Sequence, residues 1–199
     1  MDKHFRRSLV ALIGINLMVG IVTMAQADFY KGYELPRYVV EAQEGPFEIR
    51  RYAPHTLAEV TVEGSRTSAI RTGFRTLARY IFGGNETGEK IAMTVPVTQV
   101  ASGGDTWAVT FMMPSAVADD LPKPDSTAIG FRDAKPVRQV SVQFSGMTTA
   151  KRLAREEARL RAYADDAGLT PVGPIIVSYY DDPFTVPWNR RNEVALVLN

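Results

Sequence analysis

The sequence contains no cysteine and only two histidines, His4 and His55, among its 199 residues. Without cysteine it can have no disulfide, no thiolate nucleophile and no zinc site of the Cys type. Because Ser–His–Asp and Cys–His mechanisms need a base beside the nucleophile, such a catalytic group is not expected around so few histidines. The sequence also lacks a Gly-rich phosphate loop between a strand and a helix. These absences favour a binding protein over an enzyme and predict no protein-bound metal site.

The first 27 residues have the pattern of a secretory signal peptide. A positively charged start precedes an apolar run from Ser8 to Met24, and Ala25-Gln26-Ala27 fits a small-residue cleavage site. We expect cleavage after Ala27 and a periplasmic or secreted protein without stable membrane insertion. An uncleaved anchor is the alternative, although the run is short for a membrane span and contains Asn16.

Export without disulfides suggests a bacterial periplasm. Loss of the signal peptide removes Asp2 together with Lys3, Arg6 and Arg7, which changes the formal net charge from +1 to −1. This balance argues against a nucleic-acid partner or an anionic membrane as partner. Residues 28–199 have the length of one domain, which can bury enough surface to fold without cross-links.

The rest of the chain has one pattern twice: a strand, a glycine, a helix with a single apolar stripe, and two more strands. In the first copy we predict strand His55–Val62, Gly64, helix Thr67–Phe82, and strands Ile91–Gln99 and Thr106–Met113. In the second we predict strand Val137–Phe144, Gly146, helix Thr149–Ala167, and strands Ile175–Tyr180 and Glu193–Leu198. The proline-rich segment 114–125 is predicted to be a surface loop between them. Two helices on a largely antiparallel sheet define an α+β fold.

Five short strings occur in order along the chain: Phe47–Tyr52, Tyr80–Gly84, Lys90–Val97, Tyr179–Asp181 and Asn189–Val194. Together they resemble the SOUL haem-binding family from about Tyr33 to Leu198. The resemblance implies a single domain over residues 28–199, with a distorted antiparallel β-barrel flanked by two long helices. This fold is shared with bacterial multidrug-sensing regulatory domains. The implied ligand is haem or a related tetrapyrrole.

The resemblance places the haem surface on the first helix. A porphyrin is a large apolar plate whose two propionates favour guanidinium partners. The residues implied are apolar Phe74, Leu77 and Ala78 and basic Arg71 and Arg79. In the alternative interpretation, Phe74 and Leu77 are core residues facing the sheet and the arginines are simply solvated.

Two further features concern the same ligand. Phe184 and Trp188, in a proline-rich loop, could form an opposite wall, although packing against the barrel is an equally good interpretation. His55 is a candidate iron ligand that we do not favour, since it follows a proline at a strand start. In some family members the resemblance implies an axial histidine where this chain has Arg51, so we expect haem without strong axial ligation.

Glu193 supports a second hypothesis. An acidic residue at the start of an apolar strand is either paired with an arginine, here Arg190 or Arg191, or available to a cation. In the multidrug-sensing domains that the chain resembles, a buried glutamate near this place receives planar cations. The preferred function is non-catalytic haem binding for storage, buffering or delivery. The alternatives are a sensor or interaction module that binds apolar planar cations through Glu193, and an enzyme acting on tetrapyrrole.

Overall fold

The computed structural model describes residues 24–25 and 29–199, with side chains from residue 29 onward. The strands are β1 Met24–Ala25, β2 Phe29–Tyr30, β3 Tyr33–Glu34, β4 Tyr38–Glu44, β5 Phe47–Tyr52, β6 His55–Glu63, β7 Val97–Gly103, β8 Thr106–Met112, β9 Ile129–Ala134, β10 Val137–Phe144, β11 Pro171–Tyr179 and β12 Asn192–Leu198. The helices are α1 Arg66–Ile81 and α2 Ala150–Asp166, with a 3₁₀ turn at Pro187–Asn189. Apart from β1, the predicted signal peptide lies outside the described residues.

Ten strands form one antiparallel sheet in the order β1-β4-β5-β10-β12-β11-β7-β8-β6-β9, and β2 pairs with β3 separately. The unit β6-α1-β7-β8 gives the lateral order β7-β8-β6, and the unit β10-α2-β11-β12 gives the same order, β11-β12-β10. The two units meet where β7 pairs with β11, with Val100 opposite Ile176. The α+β fold is confirmed, whereas the origin of the two units by repetition stays a prediction.

Both helices begin where the sequence predicts, at a polar cap after a glycine. Ser65 accepts a hydrogen bond from the backbone N–H of Ser68 at 3.3 Å, and Thr149 accepts one from Arg152 at 3.2 Å. These side chains satisfy donors that the first helical turn leaves free. Gly64 reverses the chain at a φ of 118°, a conformation that other residues rarely adopt.

The helices cover the same face of the sheet and produce two neighbouring cores. Under α1 the buried residues include Ala58, Val60, Leu77, Tyr80, Ile81, Val97, Val109 and Phe111. Under α2 they include Val140, Val142, Leu153, Leu160, Val194, Leu196 and Leu198. Because side chains alternate along a strand, the intervening residues of β5, β10 and β12 face the opposite side of the sheet.

The prediction of a strand from Ile91 was wrong for its first half, since β7 begins only at Val97. The reason is that residues 91–96 hydrogen-bond to several different elements instead of one neighbouring strand. The N–H of Ile91 donates to Ile81 O at 2.8 Å, and the N–H of Val95 donates to Glu34 O at 3.0 Å. The Thr94 hydroxyl donates to Met112 O at 2.7 Å.

Strands β4 and β9 were missed, and β11 begins earlier than predicted. The β11–β12 register shifts between Val172 and Ile176, where Gly173 has a φ of 71°. Such a bulge interrupts the alternation on which the prediction relied. The predicted loop 114–125 contains no helix or strand and lies over the end of α1, where the Tyr80 hydroxyl donates to Pro122 O at 2.9 Å.

Candidate functional site

Helix α1 packs directly on β8 at Gly73. A Cβ at this position would be 2.6 Å from Cβ of Val109, so only glycine allows the approach. Leu77 is 0% exposed beneath the helix, and Ala78 is nearly buried. Phe74 is 40% exposed, and its ring packs edge to face on Phe111 at 5.5 Å. Phe74 is therefore an apolar surface residue held in place by the core.

The outward side of α1 carries a row of arginines. Arg71, Arg75 and Arg79 are exposed and lie one helical turn apart. The helix contains no acidic residue, and among the described residues none of these three forms an ion pair. Arg66, at the start of the helix, instead donates to the Tyr179 hydroxyl at 2.8 Å and to Thr148 O. We call the exposed surface of Arg71, Phe74, Arg75 and Arg79 the α1 face.

The C-terminal end of α1 is capped by a loop, and the sequence motif Tyr80–Gly84 spans the last residues of the helix and the start of this loop. The N–H of Gly84 donates to Arg79 O at 2.8 Å, and the Asn85 amide donates to Tyr80 O at 3.1 Å. A Cβ on Gly84 would be 2.7 Å from that Arg79 oxygen. The motif is thus a helix cap, which fixes the last turn of the α1 face.

Most of the residues predicted on the first helix do share one surface. Arg71, Phe74 and Arg79 are exposed together, whereas Leu77 belongs to the core, as the alternative interpretation held for it. Ala78 is also buried, so its prediction as part of the haem surface was wrong, because the surrounding protein covers its short side chain. Arg75 was missed, although its spacing of four residues from both Arg71 and Arg79 was visible in the sequence.

Phe184 and Trp188 are not packed against the barrel. They are 93% and 72% exposed, in a loop whose contacts run to the turn before α2. The N–H of Gly146 donates to Pro187 O at 2.9 Å, and the Asn192 amide donates to Gly146 O at 3.0 Å. Their placement as a wall opposite the α1 face stays a prediction.

His55 begins β6 with its Nδ1 2.9 Å from Ala53 O, and burial lowers its pKa. By the alternation of β6, His55 lies on the opposite side of the sheet from Ala58 and Val60, and so from α1. Arg51 is largely exposed and pairs with Glu41 at 2.5 Å. Neither residue is placed to ligate an iron bound at the α1 face.

Glu193 is 2% exposed and lies in a buried ion-pair network on the far side of the sheet from the helices. Arg50, which is 1% exposed, donates to both carboxylate oxygens, at 2.7 and 3.0 Å. Arg191 donates to Oε1 at 3.0 and 2.6 Å, and the Tyr180 hydroxyl donates to Oε2 at 2.8 Å. Both oxygens are therefore fully occupied.

Charge and burial act in opposite directions in this network. Burial alone raises the pKa of Glu193, but the guanidinium groups of Arg50 and Arg191 outweigh it and lower the pKa to about 2. Burial raises the pKa of Tyr52 to about 12 and that of Tyr180 well above its usual value. The predicted pairing with Arg191 is confirmed, Arg190 takes no part, and Arg50 was missed. The nearest signal in the sequence was the strand Phe47–Tyr52, in which charged residues alternate with apolar ones.

The part of the chain with described side chains contains no group of three or more His, Asp or Glu residues that could hold a metal ion. Within the same residues, neither helix is long and apolar enough to span a membrane. The fold and the α1 face define an α+β protein with a cationic and aromatic helix surface.

The chain belongs to the SOUL haem-binding family: the family model described as SOUL heme-binding protein matches residues 33–197. Among curated proteins, it is 30% identical to heme-binding protein 2 of Homo sapiens over 181 residues, which cover 87% of each chain. It is 29% identical to heme-binding protein 1 of Bos taurus over 135 residues, covering 65% of this chain and 70% of the relative.

Solved structures share the fold at low sequence identity. The C-terminal domain of EcmrR aligns with a TM-score of 0.59 at 10% identity, covering 77% of this chain and 96% of that domain. A protein from Listeria innocua described as a hydrolase aligns with a TM-score of 0.55 at 13% identity, covering 79% and 94%. At these identities the likeness concerns the fold alone.

Proposed function

We propose that this protein binds haem or a related tetrapyrrole reversibly at the α1 face, without chemistry on the ligand, after export to the periplasm. Its role there is storage, buffering or delivery. Membership of the SOUL family supports haem as the ligand. The observation that carries the choice of site is the row of Arg71, Arg75 and Arg79, which has no carboxylate partner among the described residues and borders an exposed Phe74.

The α1 face has both parts that a porphyrin needs. Phe74, which is 40% exposed, offers apolar surface on which the macrocycle can lie, and removal of that surface from water is favourable. The arginines offer forked donors at the edge for the propionates. Since their charges are not already neutralised by the helix, propionate binding displaces no existing ion pair.

Binding through Glu193 has less support. Its carboxylate already accepts hydrogen bonds from two arginines and a tyrosine in a closed interior, so a cationic ligand would have to displace a guanidinium group. Breaking a buried pair in this way costs several kcal/mol, roughly 3 to 5.

The test is a titration with haemin, followed in the Soret region, and a parallel titration with protoporphyrin that lacks iron. We expect saturable binding of both, because the site rests on the macrocycle and the propionates. The double variant Arg71→Gln/Arg79→Gln should weaken both affinities about tenfold, which corresponds to roughly 1.4 kcal/mol for two charge-assisted contacts. Its control is Arg155→Gln/Arg161→Gln on α2, which removes the same charge from helix residues paired with Glu156 and Glu157. Equal affinity of the two variants would place the site elsewhere.

A further inference from the structure

The α1 face has three unpaired cations, which is one more than the two propionates of haem can match. Arg71, Arg75 and Arg79 are exposed and follow one another at intervals of four residues. At about 1.5 Å of rise per residue, the row is about 12 Å long. Arg66, the first residue of the helix, does not belong to the row, because its guanidinium group already donates to the Tyr179 hydroxyl at 2.8 Å. A ligand with two carboxylates therefore leaves one guanidinium group of the row without a partner.

No carboxylate of the described part of the chain neutralises this row. The helix contains no acidic residue, and none of the ion pairs between described residues includes Arg71, Arg75 or Arg79. Glu86, the first acidic residue after the helix, already accepts a hydrogen bond from the N–H of Lys123 at 3.1 Å. Like charges four residues apart on a helix repel each other and destabilise it. A ligand that supplies a carboxylate to each guanidinium group relieves this repulsion.

The apolar part of the α1 face is small in comparison. Phe74 is 40% exposed, whereas Leu77 and Ala78 of the same helix are buried. A second exposed ring, that of Phe82, follows at the C-terminal cap of the helix. Two such rings can cover only part of one side of a porphyrin, so apolar burial distinguishes poorly between porphyrins that share the same ring. Charge is the property by which this surface can select its ligand.

We propose that the α1 face selects tetrapyrroles by their number of carboxylates, and that its preferred ligand has more than two. Each arginine of the row then holds a carboxylate of its own through charge-assisted hydrogen bonds. This selectivity rests on the proposed function, since it concerns the same site, and it narrows the class of ligand to porphyrins with additional acidic side chains. A dicarboxylate such as haem still binds, but it leaves one guanidinium group of the row spare.

The test compares two metal-free porphyrins that share the same ring and differ at two substituents. Mesoporphyrin carries two propionates, and coproporphyrin has propionates in place of the two ethyl groups of mesoporphyrin. Without iron, axial ligation contributes to neither affinity. In absorbance titrations we expect coproporphyrin to bind about tenfold more tightly, which is the effect of one additional charge-assisted contact. Its affinity should also fall more steeply with added salt, because exposed charge pairs are screened.

The variant Arg75→Gln separates the two ligands. With Arg71 and Arg79 remaining, mesoporphyrin keeps one guanidinium group for each propionate, and its affinity should fall about threefold at most. Coproporphyrin loses a partner that no other residue of the row replaces, and its affinity should fall about tenfold. The matched control is Arg161→Gln, which removes an exposed arginine paired with Glu157 on α2 and should leave the ratio of the two affinities unchanged.

The failure of the selectivity and the failure of the proposed function give different results. Equal affinity of the wild type for the two porphyrins overturns the selectivity and leaves the proposed function in place. Binding of neither porphyrin overturns both. The selectivity of the row is also overturned if the preference for coproporphyrin survives in an Arg75→Gln variant with the circular dichroism of the wild type. The same holds if Arg161→Gln removes the preference equally, because the preference then follows the net charge of the protein.

Discussion

The two helices occupy matching places in the two halves of the sheet, yet they use arginine in opposite ways. Their core residues correspond, since Ile70, Leu77 and Tyr80 of α1 match Leu153, Leu160 and Tyr163 of α2, each 83 residues later. At the same offset, the exposed Arg71, Arg75 and Arg79 of α1 correspond to Ala154, Ala158 and Ala162 of α2.

The arginines of α2 lie elsewhere and are paired with carboxylates. Glu156 is 0% exposed, and Arg152, Arg155 and Arg159 all pair with its carboxylate. The matching position in α1 is Gly73, which packs against Val109. One helix thus uses its charges to stabilise itself, and the other leaves them available to a ligand. Equivalent positions in a fold need not have equivalent roles, and unpaired charge is the feature that separates the two helices.

The largest effect on stability is expected at the buried ion pair of Arg50 and Glu193, which lies on the sheet and not on either helix. Glu193→Gln removes the buried carboxylate that Arg50 and Arg191 share and leaves Arg50 with Glu48 as its remaining carboxylate partner, so the free energy of unfolding should fall by about 3 to 5 kcal/mol. Urea denaturation measures this change. Haemin affinity under native conditions should not change, so a variant that unfolds normally but loses haemin would place the ligand at Glu193.

The same carboxylate predicts a dependence on pH. Its pKa in the folded state is about 2, below the usual 4.5, so the ionised form is favoured by folding. The stability contributed by Glu193 is therefore fully present above about pH 4.5 and is lost as the pH falls towards 2. The free energy of unfolding of the wild type, measured by urea denaturation, should fall as the pH is lowered over this window. That of Glu193→Gln should fall less.

Glu156→Gln tests whether the arginines of α2 are structural. We expect a loss of about 2 to 3 kcal/mol of unfolding free energy, because a buried carboxylate and its charged hydrogen bonds are lost while the three arginines can still reach solvent. Haemin binding should be unchanged. A lower haemin affinity in a variant whose circular dichroism shows that α2 is still folded would contradict the assignment of the α2 arginines to stability and the α1 arginines to ligand binding.

Gly73→Ala tests the close packing of α1. The added Cβ would lie 2.6 Å from Cβ of Val109 and must displace it, which costs about 2 to 3 kcal/mol, and the better helix propensity of alanine offsets roughly 1 kcal/mol of that. A net loss of about 1 to 2 kcal/mol in thermal or urea denaturation is expected. The control is Thr72→Ala, at an exposed position of the same helix, where we expect less than about 0.5 kcal/mol. A neutral result at Gly73 would show that the helix can move freely on the sheet.

The smallest effect should come from the exposed pair of α2. Arg161→Gln removes an ion pair with Glu157, formed four residues apart on the surface, and such pairs contribute about 0.3 to 0.5 kcal/mol. Neither stability nor haemin affinity should change by more than that. A clear loss of haemin affinity would extend the ligand site to α2.

The sequence predicts local features of this protein well. Both helices begin within one residue of the predicted positions. The reason is that a helix start depends on residues that are neighbours in the sequence, such as Gly64 and Ser65. Strand β10 was predicted with its exact bounds, because its apolar residues alternate. Strand β9 was missed because Gly130 and the charged Arg132 and Asp133 hide the pattern of an edge strand.

Features that depend on distant residues were less accessible. Arg50 binds Glu193, which lies 143 positions later in the sequence. No local sequence pattern indicates which arginine pairs with this carboxylate. The composition of segment 91–96 predicts a strand. Its hydrogen-bond partners nevertheless come from three separate parts of the chain, which the sequence pattern does not show. On the α1 face, spacing alone could place Arg71 and Arg79 together, whereas the absence of carboxylate partners required the structure.

The most direct test of the account exchanges the outward residues of the two helices and measures haemin affinity by Soret titration. One variant carries Arg71→Ala, Arg75→Ala and Arg79→Ala, which gives α1 the alanines of α2. The reciprocal variant carries Ala154→Arg, Ala158→Arg and Ala162→Arg. We predict that the first loses at least about tenfold in affinity with little change in stability, and that the second keeps the affinity of the wild type. Unchanged haemin affinity in the first variant would contradict the assignment of the ligand site to α1.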